Sequence, residues 1–422
     1  MDMDRGAYDI ASHSAEELGA GISNLPAKAI RATPFAWPDP ASIPPRKWLF
    51  GRWLLRGEIT AVIAPGGVGK STFVGGVALS LASGREFLGK TVWEGARTVW
   101  VWNLEDDLRE MERSLIASAL HHRIGYVECG DRLFVDSGLD QRLCTATEGP
   151  NGLQIIEPVY EDLRREIVER GIDVLIIDPF VSSHDVDENS NSLIDTVGKR
   201  WKRLASETGS SIVLVHHTKK MGGQEVRAES SRGAVALINV ARSTLVMNPM
   251  SKEEGERFGI VDRHEQRAIV RVDDDKPNRA PPENAWWMKK VSVALENRDD
   301  FGRTDEVGAA IHWVPPDPFE NVSTRDLYEV QSAIQSADAE QCRDNVQAAG
   351  WVGHIIGTVL KLDSNDAFQK ARIKALLKTW IANGALAIER RDPKGKGRDV
   401  PYVTVGDWVD PAHLPTPLGG VG

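Results

Sequence analysis

The segment that most restricts the fold is GEITAVIAPGGVGKSTFVGGVALSLAS, residues 57–83. A short apolar strand, Ile59 to Ala64, runs into Pro65, Gly66, Gly67, Val68, Gly69, Lys70, Ser71 and Thr72, and apolar residues then continue at helical spacing. Strand, glycine loop and helix in this order let successive backbone N–H groups turn inward around phosphate, at a helix end that adds partial positive charge. Lys70 is placed to reach the β and γ oxygens of ATP, and Ser71 to ligate Mg²⁺. Ala64 stands where the strict G-x-x-x-x-G-K-S pattern has its first glycine, but three loop glycines remain. The alternative is a glycine-rich turn with a chance Lys-Ser pair.

Three more apolar runs, Thr98 to Asn103, Val174 to Ile177 and Ile212 to Val215, alternate with helical stretches between residues 46 and 300. That rhythm predicts an α/β domain with a parallel sheet covered by helices. The run VLIID ends in Asp178, placed to hold the Mg²⁺ hydration shell beside the loop. VWVWNLED puts Glu105 and Asp106 at another strand end, and Glu105 is the expected base for the attacking water. Asp106 and Asp107 also suit a helix start, where acids are favoured. In IVLVHHTKK, His216 or His217 could hydrogen-bond a γ-phosphate.

A formal charge of -10 argues against a general coat of positive charge, so any nucleic-acid contact is expected to be local. No run of eighteen apolar residues occurs, and MDMDRGAYDI lacks a basic-then-apolar start, so a cytoplasmic protein without a membrane partner is expected. Cys129, Cys144 and Cys342 are far apart, which fits reduced thiols rather than a disulfide framework.

The chain divides into a tail (1–45) ending in the proline-rich PFAWPDPASIPP, the α/β domain (46–300), a hydrophilic linker (301–323), a small α+β domain (324–410) and a short tail (411–422). The small domain has helical segments at 324–336, 338–349, 353–360 and 366–383. Strand-like runs follow at 385–390 and 400–405, joined by RDPKGKGRD; the order predicts a winged helix. Residues 366–400 carry nine basic side chains against four acids. Lys370, Lys374 and Lys378 share one helix face, and Lys394, Lys396 and Arg398 tip the hairpin, where they could touch duplex phosphates. Trp351 and Trp380 read as core residues.

APGGVGKST, NLEDD, LIIDP, LVHHTKK, SSRGAVALINVARS and DKPNRAPP, in this order, resemble the RepA-type hexameric plasmid helicases and the wider group of RecA-fold ATPases. The resemblance covers residues 46–300 and implies a RecA-like P-loop core, a ring homo-oligomer and ATP at each subunit interface. It further implies that Arg242 is an arginine finger, Lys276 a second cation acting in trans, His217 the γ-phosphate sensor, and Arg232 a residue near the subunit boundary. Loops 180–192 and 218–231 would face the ring's centre. The second carries Lys219, Lys220 and Arg227, a track for single-stranded DNA, whereas the first carries Asp185, Asp187 and Glu188. The expected function is a replicative helicase of a mobile element; the alternatives are an ATP-switched DNA-binding regulator and a defence ATPase.

Overall fold

The computed structural model describes residues 31–150, 152–218, 225, 232–276, 285–392 and 399–409. They fall into two units, 1–46 and 47–422. In the first, Asp39 accepts from the Ala41 N–H at 3.0 Å and opens a 3₁₀ turn, Pro40–Ser42.

In the second unit the ribbon of β1 (Trp48–Phe50) and β2 (Leu54–Leu55) leads into β3 (Ile59–Pro65) and α1 (Lys70–Ser83). Then come β4 (Val99–Asn103), α2 (Leu108–His122), α3 (Tyr126–Cys129), β5 (Leu133–Ser137), the small pair β6 (Ala146–Gly149) and β7 (Gly152–Ile155), α4 (Glu157–Arg170) and β8 (Val174–Asp178). The chain continues through α5 (Asn191–Thr208), β9 (Ser211–Thr218), α6 (Arg232–Val240), β10 (Ser243–Pro249), α7 (Lys252–Phe258), α8 (Arg263–Ala268), β11 (Ile269–Asp274), β12 (Trp286–Ala294) and β13 (Glu306–Trp313).

Among the described residues the main sheet has the order β13-β12-β11-β10-β3-β9-β8-β4-β5. From β10 to β5 the strands are parallel, and β11, β12 and β13 extend the sheet antiparallel. β3, β4 and β8 are buried at every position, because helices cover both faces. Alternate residues serve two cores. Ile59, Ala61 and Ile63 join Tyr160, Phe180 and Trp201 on the side of α4, α5 and α6, whereas Val62 and Ala64 join Phe73, Val77 and Leu81 of α1.

β13 lies within the segment expected to be a linker, so the sheet extends past residue 300. Its centre, Gly308-Ala309-Ala310, carries too little apolar mass to read as a strand. Those small residues let β13 pack on α1 and α2 as well as on β12, and the Ala310 carbonyl lies 2.9 Å from His122 Nε2. The rest of the expected linker is held by Arg372, whose Nε donates to the Pro318 carbonyl at 2.9 Å and whose guanidinium also reaches the Glu320 carbonyl.

Beyond it, α9 (Thr324–Ser336), α10 (Gly353–Leu360) and α11 (Ala367–Ala382) pack with the antiparallel hairpin β14 (Leu386–Arg391) and β15 (Val400–Val405). Ser323 and Asp326 form a capping box that starts α9. Trp351 and Trp380 are both buried in this core. The helix expected over 338–349 is absent: only a 3₁₀ turn, Ala339–Gln341, forms. The backbone groups that a helix would use are spent elsewhere, Val403 N–H on the Cys342 carbonyl at 2.7 Å and Arg343 N–H on the Gly350 carbonyl at 2.9 Å. Loop 180–192 is anchored at its start. Phe180 and Ser183 are buried in a 3₁₀ turn, and Asp185 N–H donates to the Ala146 carbonyl at 2.8 Å.

α11 seats on the end of α7 at Gly259, whose φ of 75° lies in the left-handed region and whose missing Cβ would stand 2.5 Å from Phe368 Cα. Gly259→Val should therefore cost about 1–3 kcal/mol and make residues 324–409 more protease-sensitive than the sheet. Limited proteolysis with urea melting checks this, and parental behaviour would contradict the seating.

Both ring nitrogens of buried His184 and Nδ1 of buried His216 have no hydrogen-bond partner among the described residues, and burial pushes each from 6.5 down to about 4. The unfolded chain binds protons between those values and the native chain does not, so stability should rise with pH across that window and fall as pH drops from 6.5 to 4. Melting curves of the parent and of a His184→Phe, His216→Leu double variant test this: the variant should lose much of the slope, and an unchanged slope would assign it to carboxylates.

Candidate active site

The turn from β3 into α1 is possible because Gly67 and Gly69 take φ values of 80° and 105°, a region that other residues enter at a cost. At Gly66 and Gly67 a Cβ would meet nothing within 4 Å, so the loop backbone borders open space. Gly69 is the N-cap of α1 and offers no side chain to the first helical N–H groups. This is the cradle that a phosphate group fits. Lys70, 4% exposed, points into it, its Nζ donating to the carbonyls of Ala64 at 3.2 Å and Pro65 at 3.0 Å. Burial lowers its pKa, and the charges of Asp178 and Glu105 oppose that shift.

β9 lies between β3 and β8, yet Asp178 at the end of β8 reaches the loop. Ser71 Oγ donates to Asp178 Oδ2 at 2.8 Å. The pair forms because parallel strands deliver their carboxyl ends to one edge. Two oxygen ligands there suit Mg²⁺, which takes few protein ligands and keeps its waters and phosphate oxygens.

At the end of β4, Asn103 Oδ1 accepts from the N–H groups of Glu105 and Asp106, both at 2.8 Å, and folds the NLEDD turn. Asp107 is the N-cap of α2, accepting from the Glu110 N–H at 2.8 Å. Asp106 is therefore not the capping residue. It accepts from Asn103 Nδ2 at 3.0 Å and lines a cavity of about 310 Å³ with Ser71, Thr72, Asp178, Glu110 and, from β13, Glu306. Burial first, then the charges of Asp178 and Glu110, raise its pKa. Glu105 is exposed but close enough to Lys70 for its charge to be felt there. Nothing in the sequence singled out Asn103 or Glu306. An asparagine directly after an apolar strand is the available signal for the former.

His217 Nε2 stands 3.8 Å from Asp178 Oδ1, on the α1 side of the sheet, whereas His216 points to the opposite core. Of the two histidines, only His217 joins Lys70, Ser71 and Asp178 at this edge.

Arg242 and Lys276 lie at the other edge. Arg242 N–H donates to the Ile59 carbonyl at 2.9 Å, at the start of β3, about 20 Å along the strand from the loop at its end. Its Nε is 3.6 Å from Glu58 Oε2 and its side chain is 42% exposed. Lys276 Nζ donates to the carbonyls of Ile238 at 2.6 Å and Ala241 at 3.1 Å, capping the end of α6. Burial and the neighbouring Arg242 charge lower its pKa. The two cations are thus brought together, and away from the glycine loop of the same chain.

Lys374 and Lys378 are exposed on α11, where they line a groove of about 710 Å³ that Glu253 and Glu256 of α7 also line. Lys370 lies over the Trp351 ring at 5.6 Å instead. Lys219, Lys220, Arg227, Lys394, Lys396, Arg398 and the Arg232 side chain lie outside the described residues. Among those described, no helix is long and apolar enough to cross a membrane. Residues 25–223, which include the glycine loop, Glu105, Asp178 and His217, match the AAA domain family of P-loop ATPases.

Proposed function

We propose that the chain is a Mg²⁺-dependent ATPase with a RecA-like core that forms a ring, similar to the RepA-type helicases, and acts on DNA. The observation that carries this reading is the hydrogen bond between Ser71 and Asp178 at the mouth of a loop that also holds the Lys70 ammonium. The N–H groups of the loop and Lys70 bind the β- and γ-phosphates. Ser71 and Asp178 would hold Mg²⁺, which supplies charge neutralisation on the transferring phosphoryl group. Glu105 accepts the proton of the attacking water, with Asp106 as the other candidate because it lines the cavity beside Ser71 and Asp178 and burial raises its pKa. His217, next to Asp178, senses the γ-phosphate.

The ring is supported by the position of Arg242 and Lys276. In a head-to-tail assembly the carboxyl edge of one sheet meets the amino edge of the next. An arginine arriving in that way is worth about 10³ to 10⁵ in rate. Single-stranded DNA is assigned to Lys219, Lys220 and Arg227, and residues 324–409 are read as a winged helix. One observation favours a second reading for that module: Lys374 and Lys378 share their groove with two glutamates, which suits docking onto the ATPase domain under nucleotide control better than duplex binding.

Lys70→Ala should abolish turnover, and Glu105→Gln should bind ATP with turnover reduced at least about 10²-fold. Steady-state phosphate release measures both; if Glu105→Gln turns over normally while Asp106→Asn does not, the base is Asp106. For action in trans, Arg242→Ala and Lys70→Ala, each inactive alone, should recover activity when mixed, because a mixed interface takes a loop from one chain and a finger from the other. Mixed oligomers without recovery would assign Arg242 to its own subunit's structure.

A further inference from the structure

The antiparallel extension of the sheet brings a second lysine to the phosphate loop from the same chain. Alternation along β12 puts Trp286, Met288 and Lys290 on the side that faces α1. Trp286 meets the α1 residue Phe73 edge to face at 5.8 Å, and Met288 is buried in the α1 core. Lys290 pairs in register with Ala310 of β13, itself buried in that core. The strand is therefore fixed along α1, and its next inward side chain lies across the start of the helix.

The contact is close. A Cβ on Gly69 would come 2.7 Å from Lys290 Cδ, so the glycine there provides room for the lysine stem as well as conformational freedom. Lys290 Nζ lies 3.5 Å from the Gly67 carbonyl. Among the described residues no carboxylate stands within ion-pair distance of it, whereas its neighbour Lys289 is paired with Glu265 at 2.8 Å. A half-buried ammonium at the rim of an anion cradle, with no carboxylate partner, leaves its charge for the ligand of that cradle. Burial also lowers the Lys290 pKa, the cost that a bound phosphate would offset.

We propose that Lys290 is a phosphate-binding residue of the nucleotide site, a second cation supplied in cis opposite Lys70, and that the β12–β13 hairpin thereby selects nucleoside polyphosphates over monophosphates. This rests on the nucleotide-binding reading of the glycine loop. Lys70 comes from the helix beneath the phosphates and Lys290 from the strand laid over it, so the two act on different sides of the same charge.

The test is equilibrium binding of ATP and AMP to the full chain and to Lys290→Gln, Lys290→Arg and Lys70→Ala, with melting curves to confirm folding. Lys290→Gln should weaken ATP binding roughly tenfold, the size of one charge-assisted contact, leave AMP binding unchanged, and be largely rescued in Lys290→Arg. Parental ATP affinity in a folded Lys290→Gln chain overturns the proposal. If the parent and Lys70→Ala bind ATP alike, it is the reading of the glycine loop that fails. A second measurement needs no variant: ATP should slow acetylation of Lys290 in the parent, followed by peptide mass spectrometry. Equal rates with and without ATP would also overturn the proposal.

Discussion

A parallel sheet buried on both faces constrains everything else in this protein. Its strands can be satisfied only by helices above and below, and helical crossovers return each strand in the same direction. All carboxyl ends then share one edge. Lys70 after β3, Asn103 at the end of β4, Asp178 at the end of β8 and His217 near the end of β9 meet there although up to 147 residues separate them along the chain. The hydrogen bond from Ser71 to Asp178 is the direct product of that arrangement.

The antiparallel strands add what the parallel core lacks. β13 is at the far edge of the sheet, yet it packs on α1 and α2, so the extension lies back over the helix that follows the glycine loop. Gly75 and Gly76 in α1 thin that helix where Leu115 and Ala310 approach. The extension lines one side of the cavity around Ser71, Asp106 and Asp178, with Glu306 on its wall. Burial strengthens electrostatic contacts, and it is the largest cause of the shifts at Lys70 and Asp106.

The two ends of the parallel strands carry different chemistry. One edge has the anion cradle and its carboxylates; the other has Arg242 and Lys276 beside the end of α6. Such polarity is what the proposed head-to-tail assembly of identical subunits would use. Residues 324–409 are tied to the α/β domain by the α7–α11 contact, and Arg372 holds the connecting segment at the Pro318 and Glu320 carbonyls.

The loop from Pro65 to Thr72, the buried strand ending in Asp178 and the alternation of strands and helices were legible because local pattern dictates them: glycines where the backbone needs left-handed angles, and unbroken apolar runs where a strand is covered on both faces. The role of Asp106 was not, since an acid before a helix reads equally as a cap, and only the fold assigns the cap to Asp107 and leaves Asp106 on the cavity. β13 was hidden because its small residues carry no hydrophobic signal, and its value lies in what they permit to approach. The helix expected over 338–349 failed because its backbone groups found partners in β15, far along the chain. By itself the sequence determined the phosphate loop and the class of fold, through short-range stereochemistry and burial. Which carboxylates face the loop, which edge holds Arg242, and that Lys290 reaches Gly67 were decided by tertiary structure, because strand order and long-range pairing have no local signature.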